Sequence, residues 1–181
     1  MALVNVVNAF TTPATATAAA RLVFEYMALT RVETGWCEPA TVDDLPPVLQ
    51  RELRELRQVY RPPGGLWVAY RDGEPAGCVG LVSRGLGTAE VKRLYMRPAH
   101  RGGIGRLLMT CAHRHAARNY FTRVVVSVVP ERPAAVEYYR GLGYTDVAPY
   151  EESPSGMANL QYLIPPEPEA DRHSPDNPAN E

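Results

Sequence analysis

A glycine-rich stretch flanked by arginines lies between a strand-like segment and an amphipathic helix. Backbone N–H groups at the start of a helix lack intrahelical acceptors and carry the positive end of the helix dipole. Phosphate is their usual partner, and glycine lets the backbone approach it closely. The stretch therefore predicts binding of a phosphorylated cofactor; the alternative is a glycine-rich helix start with solvated arginines. The predicted site consists of Arg101, Gly102, Gly103, Ile104, Gly105 and Arg106.

Several other kinds of site are excluded by spacing. The stretch has no Gly-Lys-Ser/Thr, so it is not a P-loop, and GGIGRL does not fit the dinucleotide pattern G-x-G-x-x-G. His113 and His115 are two apart on a predicted helix and point in different directions, with no acidic or cysteine partner near in sequence. We therefore expect no metal site. The three cysteines match no metal motif, and we expect reduced thiols.

Hydrophobic periodicity predicts the elements around the glycine stretch. Helices are predicted over about 14–31, 103–118 and 133–141, and another where Leu45, Leu49, Leu53 and Leu56 recur at helical spacing. Two apolar runs around Asp72-Gly73 predict an antiparallel hairpin. Further strands are predicted at 3–7, at AEVKRLYM, at 124–130, near 144–150 and at 157–164. The strand over 124–130 is nearly all valine, which is typical of a strand buried on both faces.

Composition limits the class of protein. The chain has 181 residues, a net charge of −1 and a pI of about 6.4, which argues against a general nucleic-acid binder. No apolar run approaches the ~20 residues of a membrane span, and the first residues lack the positive charge of a signal peptide. We therefore expect a cytoplasmic protein that binds no membrane. One domain is predicted over 1–164, followed by a disordered proline-rich acidic tail over 165–181.

Three segments, in this order, resemble the GNAT family of acyl-CoA-dependent N-acyltransferases. AEVKRLYMRP resembles the family's fourth strand, the glycine stretch its Gln/Arg-x-x-Gly-x-Gly/Ala loop, and RPAAVEYYRGLGY its later helix and the strand start after it. His100 stands where the family has Gln or Arg. The resemblance spans roughly residues 1–164. It implies an α/β (α+β) fold: a mixed, mostly antiparallel central sheet with a splayed pair of parallel strands and helices on both faces.

The resemblance also implies how acetyl-CoA would bind as cosubstrate, without a metal. The pantetheine arm would lie between the strand over 90–96 and the valine strand, and would pair with backbone groups near Tyr95 and Met96. The pyrophosphate would lie on the amides of residues 102–106. Arg132 stands where the family often has asparagine. One interpretation is that Arg132 contacts a phosphate or a carbonyl of the pantetheine arm. The other is that it is a surface residue.

Two residues are candidates for acid–base chemistry. Tyr139 occupies the position of the family's usual general acid, and the alternative is a core tyrosine. Glu90 begins the splayed strand and is the candidate base. The alternative for Glu90 is a structural salt bridge. Lys92, on the same strand face, is its expected partner.

The resemblance therefore implies an N-acetyltransferase that moves an acetyl group from acetyl-CoA to a primary amine of a small molecule or peptide. The amine would attack directly, in a ternary complex. The alternatives are an acyl-CoA-binding sensor or degenerate homologue, and an interaction module that uses the acidic tail. Four acids between residues 32 and 44 favour a cationic acceptor, although a solvated surface explains them equally well: Glu33, Glu38, Asp43 and Asp44. A homodimer is also possible.

Overall fold

The computed structural model describes residues 3–100, 102–150 and 153–166. Within these ranges seven strands form one sheet in the order β1-β2-β3-β4-β5-β7-β6. Neighbouring strands are antiparallel except β4 and β5, which confirms the predicted mixed sheet with one parallel pair. The strands are β1 (Val4–Asn8), β2 (Gly65–Arg71), β3 (Glu74–Ser83), β4 (Thr88–Met96), β5 (Arg123–Val128), β6 (Thr145–Asp146) and β7 (Ala158–Leu163).

Helices cover both faces of the sheet, as predicted. They are α1 (Pro13–Glu33), α2 (Pro47–Arg54), α3 (Leu56–Val59), α4 (Ile104–Arg118) and α5 (Pro133–Gly141). One core lies between the sheet and α4 and α5, and the other between the sheet and α1, α2 and α3. The start of α1 shows how local sequence sets these bounds: the Thr12 hydroxyl accepts the Thr15 N–H at 3.1 Å, and Pro13 occupies the first turn.

The segment between residues 42 and 60 corrects one prediction. The leucine spacing indicates a single helix, but the chain forms a short 3₁₀ turn and then the separate helices α2 and α3. Pro46 and Pro47 lie inside the expected helix; each lacks an N–H and restricts the residue before it, so the α-helix begins only at Pro47. Leu45 and Leu56 are buried all the same. The strand expected near 144–150 is likewise reduced to Thr145–Asp146.

A cleft opens where the parallel strands diverge. β4 pairs with β5 only from Thr88 to Glu90, opposite Arg123 to Val125. Beyond Glu90 the two strands separate, while β5 continues to pair with β7 on its other side. The gap forms a cavity of about 830 Å³, here called the cleft. The predicted splayed pair is thus confirmed, and the cleft joins the two faces of the sheet.

Some predictions concern features outside this core. Arg101 and the tail beyond residue 166 lie outside the described residues. None of the described helices is long and apolar enough to cross a membrane. No group of three potential metal ligands occurs in the described ranges. His113 instead stacks on Tyr162 and bonds the Tyr144 hydroxyl at 2.8 Å, while His115 bonds the carbonyl of Pro63 at 2.9 Å.

The packing of His113 predicts a pH-dependent contribution to stability. Burial lowers the pKa of His113 from 6.5 to about 4 in the folded chain. Between these values the unfolded chain takes up a proton that the folded chain does not, so the free energy of unfolding falls as the pH drops through this window. In urea titrations, the dependence should be weaker in His113→Gln and unchanged in the exposed Arg114→Gln. If plots of the free energy of unfolding against pH were parallel for wild type and His113→Gln, this account would be contradicted.

Candidate active site

The glycine stretch presents unpaired amides at the start of α4. Gly102 and Gly103 have φ values of 110° and 85°, a left-handed backbone that favours glycine. Gly103 caps α4 without a side-chain hydrogen bond, and its carbonyl accepts the Leu107 N–H. None of the amides of residues 102–106 donates to an acceptor within the described part of the chain. This end of α4 therefore fits a phosphate group.

Gly105 brings the start of α4 against the wall of the cleft. A Cβ atom built on Gly105 would lie 2.7 Å from the Tyr138 hydroxyl and 3.0 Å from Cε of Met96, so only glycine fits without movement. Tyr138 and Met96 both line the cleft. The amides and the cleft are therefore adjacent parts of one surface.

The register of β4 determines which main-chain groups face the cleft. The Arg97 N–H donates to the Ala76 carbonyl of β3 at 2.9 Å. Because successive residues of a strand alternate between its two edges, the main-chain groups of Met96 point away from β3, into the gap. Tyr95, opposite Cys78, points its main chain toward β3, and its ring lines the cleft near Tyr26. Of the two predicted backbone contacts, Met96 thus faces the cleft and Tyr95 does not.

Tyr139 lies on α5 in the wall of the cleft. Its side chain is buried, with edge-on contacts to the rings of Tyr138 and Tyr144. Burial raises the pKa of Tyr139 well above its ordinary value, so the phenol keeps its proton at neutral pH. The residue is at once a core tyrosine and a cleft residue, so the two interpretations offered by the sequence do not exclude each other.

Glu90 lines the cleft at the point where β4 and β5 separate. Its Oε2 accepts from Arg84, with Nε at 2.7 Å, and its Oε1 accepts the Tyr150 hydroxyl at 2.9 Å. The carboxylate is only 6% exposed, so these partners fix its orientation. The ion pair expected with Lys92 is made by Arg84 instead, because the loop after β3 brings this arginine back over β4.

Comparison with known proteins identifies the family. The family model described as Acetyltransferase (GNAT) family matches residues 29–144, which is more than half of the chain. The chain belongs to the GNAT acetyltransferase family. It is 31% identical over 116 residues to an uncharacterized N-acetyltransferase of Schizosaccharomyces pombe, covering 62% of this chain and 70% of that protein.

Solved structures of GNAT proteins show the same fold. An acetyltransferase from Streptococcus agalactiae superposes with a TM-score of 0.69 at 16% identity, covering 89% of this chain and 98% of that one. The PaiA N-acetyltransferase from Thermoplasma acidophilum, solved in complex with coenzyme A, gives 0.61 at 12% identity, covering 89% and 99%. The sequence-based assignment to the GNAT family and its fold is confirmed.

Arg132 of this GNAT chain reaches α1. Its guanidinium pairs with Glu33, at the end of α1, and lies 5.0 Å above the ring of Tyr26. Its Nη2 is buried with no partner among the described residues. The side chain is therefore not a solvated surface arginine; it lines the cleft, and one of its donors has no partner among the described residues.

Sequence reasoning missed several residues of the cleft. Arg84, in the loop six residues before Glu90, and Tyr150, 60 residues after it, both bond its carboxylate, and no local pattern marks either residue. Arg93 has a φ of 57° at a bulge in β4, which directs its guanidinium to Glu52 of α2 at 2.6 Å. The bulge was not predicted, although adjacent Lys and Arg in an apolar strand such as VKRLY are a signal that one of them leaves the regular alternation.

Proposed function

We propose that this GNAT protein transfers the acetyl group of acetyl-CoA to the primary amine of a small molecule or peptide. The observation that supports this most directly is the set of unpaired amides at the start of α4, beside a cleft that contains Tyr139 and Glu90. No side chain among the described residues caps these amides, so they are free to bind an anion.

Acetyl-CoA would supply a thioester whose carbonyl carbon is the site of attack. The amides of Gly102 to Arg106 would hold the pyrophosphate, with the charge of Arg106 added in the first turn of α4. Met96 would pair through its main chain with the amide-bearing arm of the cofactor. Main-chain binding of this kind tolerates changes of side chain, which agrees with His100 at a position where the family has Gln or Arg.

The chain's own residues would then assist direct transfer in a ternary complex. Glu90 takes a proton from the acceptor ammonium, directly or through water, so that the nitrogen lone pair forms the new C–N bond. The main-chain N–H of Met96 donates to the developing oxyanion. As the C–S bond breaks, the Tyr139 hydroxyl donates a hydrogen bond to the departing thiolate, and the second proton that the nitrogen loses on becoming an amide passes through water to the sulfur. The products are the N-acetylated amine and coenzyme A.

Two measurements on the purified protein test this proposal. Titration calorimetry with acetyl-CoA reports binding, and release of free thiol in the presence of amino acids, spermidine or short peptides reports transfer. We expect binding together with transfer to at least one of these acceptors. Binding without transfer would favour an acyl-CoA sensor, and absence of binding would reject both functions.

Gly105→Ala should weaken cofactor binding. The new Cβ would press on the Tyr138 hydroxyl and on Met96, displacing both into the cleft. We expect the Kd for coenzyme A, measured by calorimetry, to rise by about 10-fold, a typical cost of overpacking. Removing the hydroxyl in Gly105→Ala/Tyr138→Phe should restore part of the affinity. Unchanged affinity in Gly105→Ala would show that the start of α4 takes no part in binding.

A further inference from the structure

Lys92 is the single lysine of the chain, and it faces the cleft. Val91 packs into the core on the α4 side of the sheet, so alternation along β4 places Glu90 and Lys92 on the α1 side. The Lys92 side chain is half-buried there. Among the described residues its ammonium group has no hydrogen bond and no ion pair. A positive charge in the wall of the cleft thus lacks a bonded partner in the part of the chain that the structure describes.

The carboxylates that line the cleft are mostly held by arginines. Glu90 is bound by Arg84, and Glu33 is bound by Arg132. Glu131 is the remaining one among the described residues that line the cleft, and it is exposed at the rim. Among the described residues, the charged groups that remain unpaired inside the cleft are therefore cationic.

Of the four acids that suggested a cationic acceptor from the sequence, Glu38 is exposed and does not line the cleft, and the other three have partners of their own. Glu33 pairs with Arg132, Asp43 pairs with Arg54 at 2.6 Å, and Asp44 caps its own turn by accepting from Thr41. Their charges are thus neutralised or used locally. Arg132 adds to the excess of donors, because its Nη2 is buried without a partner while its guanidinium lies over Tyr26.

We infer that the acceptor is an amine that also carries a carboxylate, as a free amino acid does, and that Lys92 binds this carboxylate. The inference rests on the proposed acetyl transfer. The acceptor ammonium would face Glu90, two residues away on the same side of β4, while its carboxylate pairs with Lys92. The buried Nη2 of Arg132 is a second donor that the carboxylate can use. The apolar part of the acceptor would lie against Leu29 and Leu49.

The electrostatic surroundings of Lys92 agree with this role. Burial and the neighbouring guanidinium of Arg93 lower the pKa of Lys92, and the carboxylates of Glu90 and Glu52 only partly oppose them. Arg84 acts in the same direction as Arg93. A bound carboxylate relieves this penalty by supplying the missing opposite charge.

A comparison of matched acceptors tests the inference by activity. Each of the common amino acids is assayed for thiol release with acetyl-CoA, alongside the amine that lacks its carboxyl group. We expect transfer to at least one amino acid with a KM lower than that of its decarboxylated counterpart. Lys92→Met should raise the KM for the amino acid by about 10-fold and leave the KM for the decarboxylated amine unchanged. Lys92→Arg should keep part of the preference for the amino acid. The exposed Arg114→Met removes the same charge elsewhere and should change neither.

A second measurement decides the inference even if no acceptor is acetylated. Full-length protein labelled with [ε-¹³C]lysine has one labelled side chain, that of Lys92. In ¹³C NMR spectra recorded with coenzyme A present, amino acids should shift the Lys92 signal and raise the pH at which Lys92 titrates. The decarboxylated amines should do neither. If no amino acid does so, or the decarboxylated amines have the same effect, the inference is wrong. Binding of amino acids without acetylation would instead reject the proposed transfer and keep the carboxylate site.

Discussion

Tyr139→Phe is expected to lower kcat by about 100-fold, within the usual contribution of a general acid or base. The phenol is held in the wall of the cleft by buried aromatic neighbours, so its hydroxyl has little freedom to turn away. Its raised pKa keeps it protonated at neutral pH, as a donor to the thiolate requires. The ring remains in Phe, so the Kd for coenzyme A, measured by calorimetry, should not change.

Tyr144→Phe is the matched control for this variant. Tyr144 is buried, its ring touches that of Tyr139, and its hydroxyl bonds His113 rather than facing the cleft. Losing this hydroxyl should lower the melting temperature and leave kcat unchanged. If Tyr139→Phe retained full turnover, the departing thiolate would take its proton from solvent. If both variants lost turnover equally, the effect would come from packing of the aromatic cluster.

The parts of the site that depend on local sequence could be predicted. The start of α4 follows from glycines that accept a left-handed backbone, followed by a helical apolar stripe, and it lies within a residue of its expected position. The hairpin around Asp72-Gly73 is set by its turn residues in the same way. Such features need no knowledge of distant contacts, because the backbone conformation itself requires particular residues.

The partners of the charged residues could not be predicted. Glu33 and Arg132 are separated by 99 positions, and Glu90 pairs with Arg84 of the preceding loop and not with Lys92, its neighbour along the strand. The partner in an ion pair depends on how loops and helices pack. The sequence shows where Glu, Lys and Arg occur but not which of them become neighbours. The bulge at Arg93 adds to this difficulty, since one extra residue moves later side chains of β4 to the other face.

The divergence of β4 and β5 divides the chemistry between two sides of one sheet. Tyr139, Tyr138 and Met96 belong to the core on the α4 side, where the unpaired amides lie. Glu90 and Lys92 face α1 on the other side. A sheet that stayed paired would separate these groups. The cleft brings them to one cavity, so that the thioester and the amine would approach from opposite faces.

Glu90→Gln is expected to lower kcat by about 100-fold at neutral pH, because an amide cannot take the proton of the acceptor ammonium. The substitution keeps the shape of the side chain and an oxygen that can accept from Arg84 or Tyr150. The loss should shrink as the pH rises toward the acceptor's own pKa, about 10 for a simple alkyl amine, since solvent then supplies the neutral amine. Thiol release measured between pH 7 and about 9.5, at saturating acceptor, gives this profile for both proteins.

The pH profile separates proton transfer from a purely structural role for Glu90. Glu90 is also half of a buried ion pair, so its replacement removes this pairing with Arg84 and lowers stability whatever its part in the reaction. Damage of that kind would reduce turnover by the same factor at every pH, whereas loss of a base is offset in alkaline solution. Glu131→Gln, at the exposed rim of the cleft, removes a similar charge and should retain full activity. A pH-independent loss in Glu90→Gln would make Glu90 a positioning residue for Arg84 and Tyr150, and the proton of the amine would then leave directly to water.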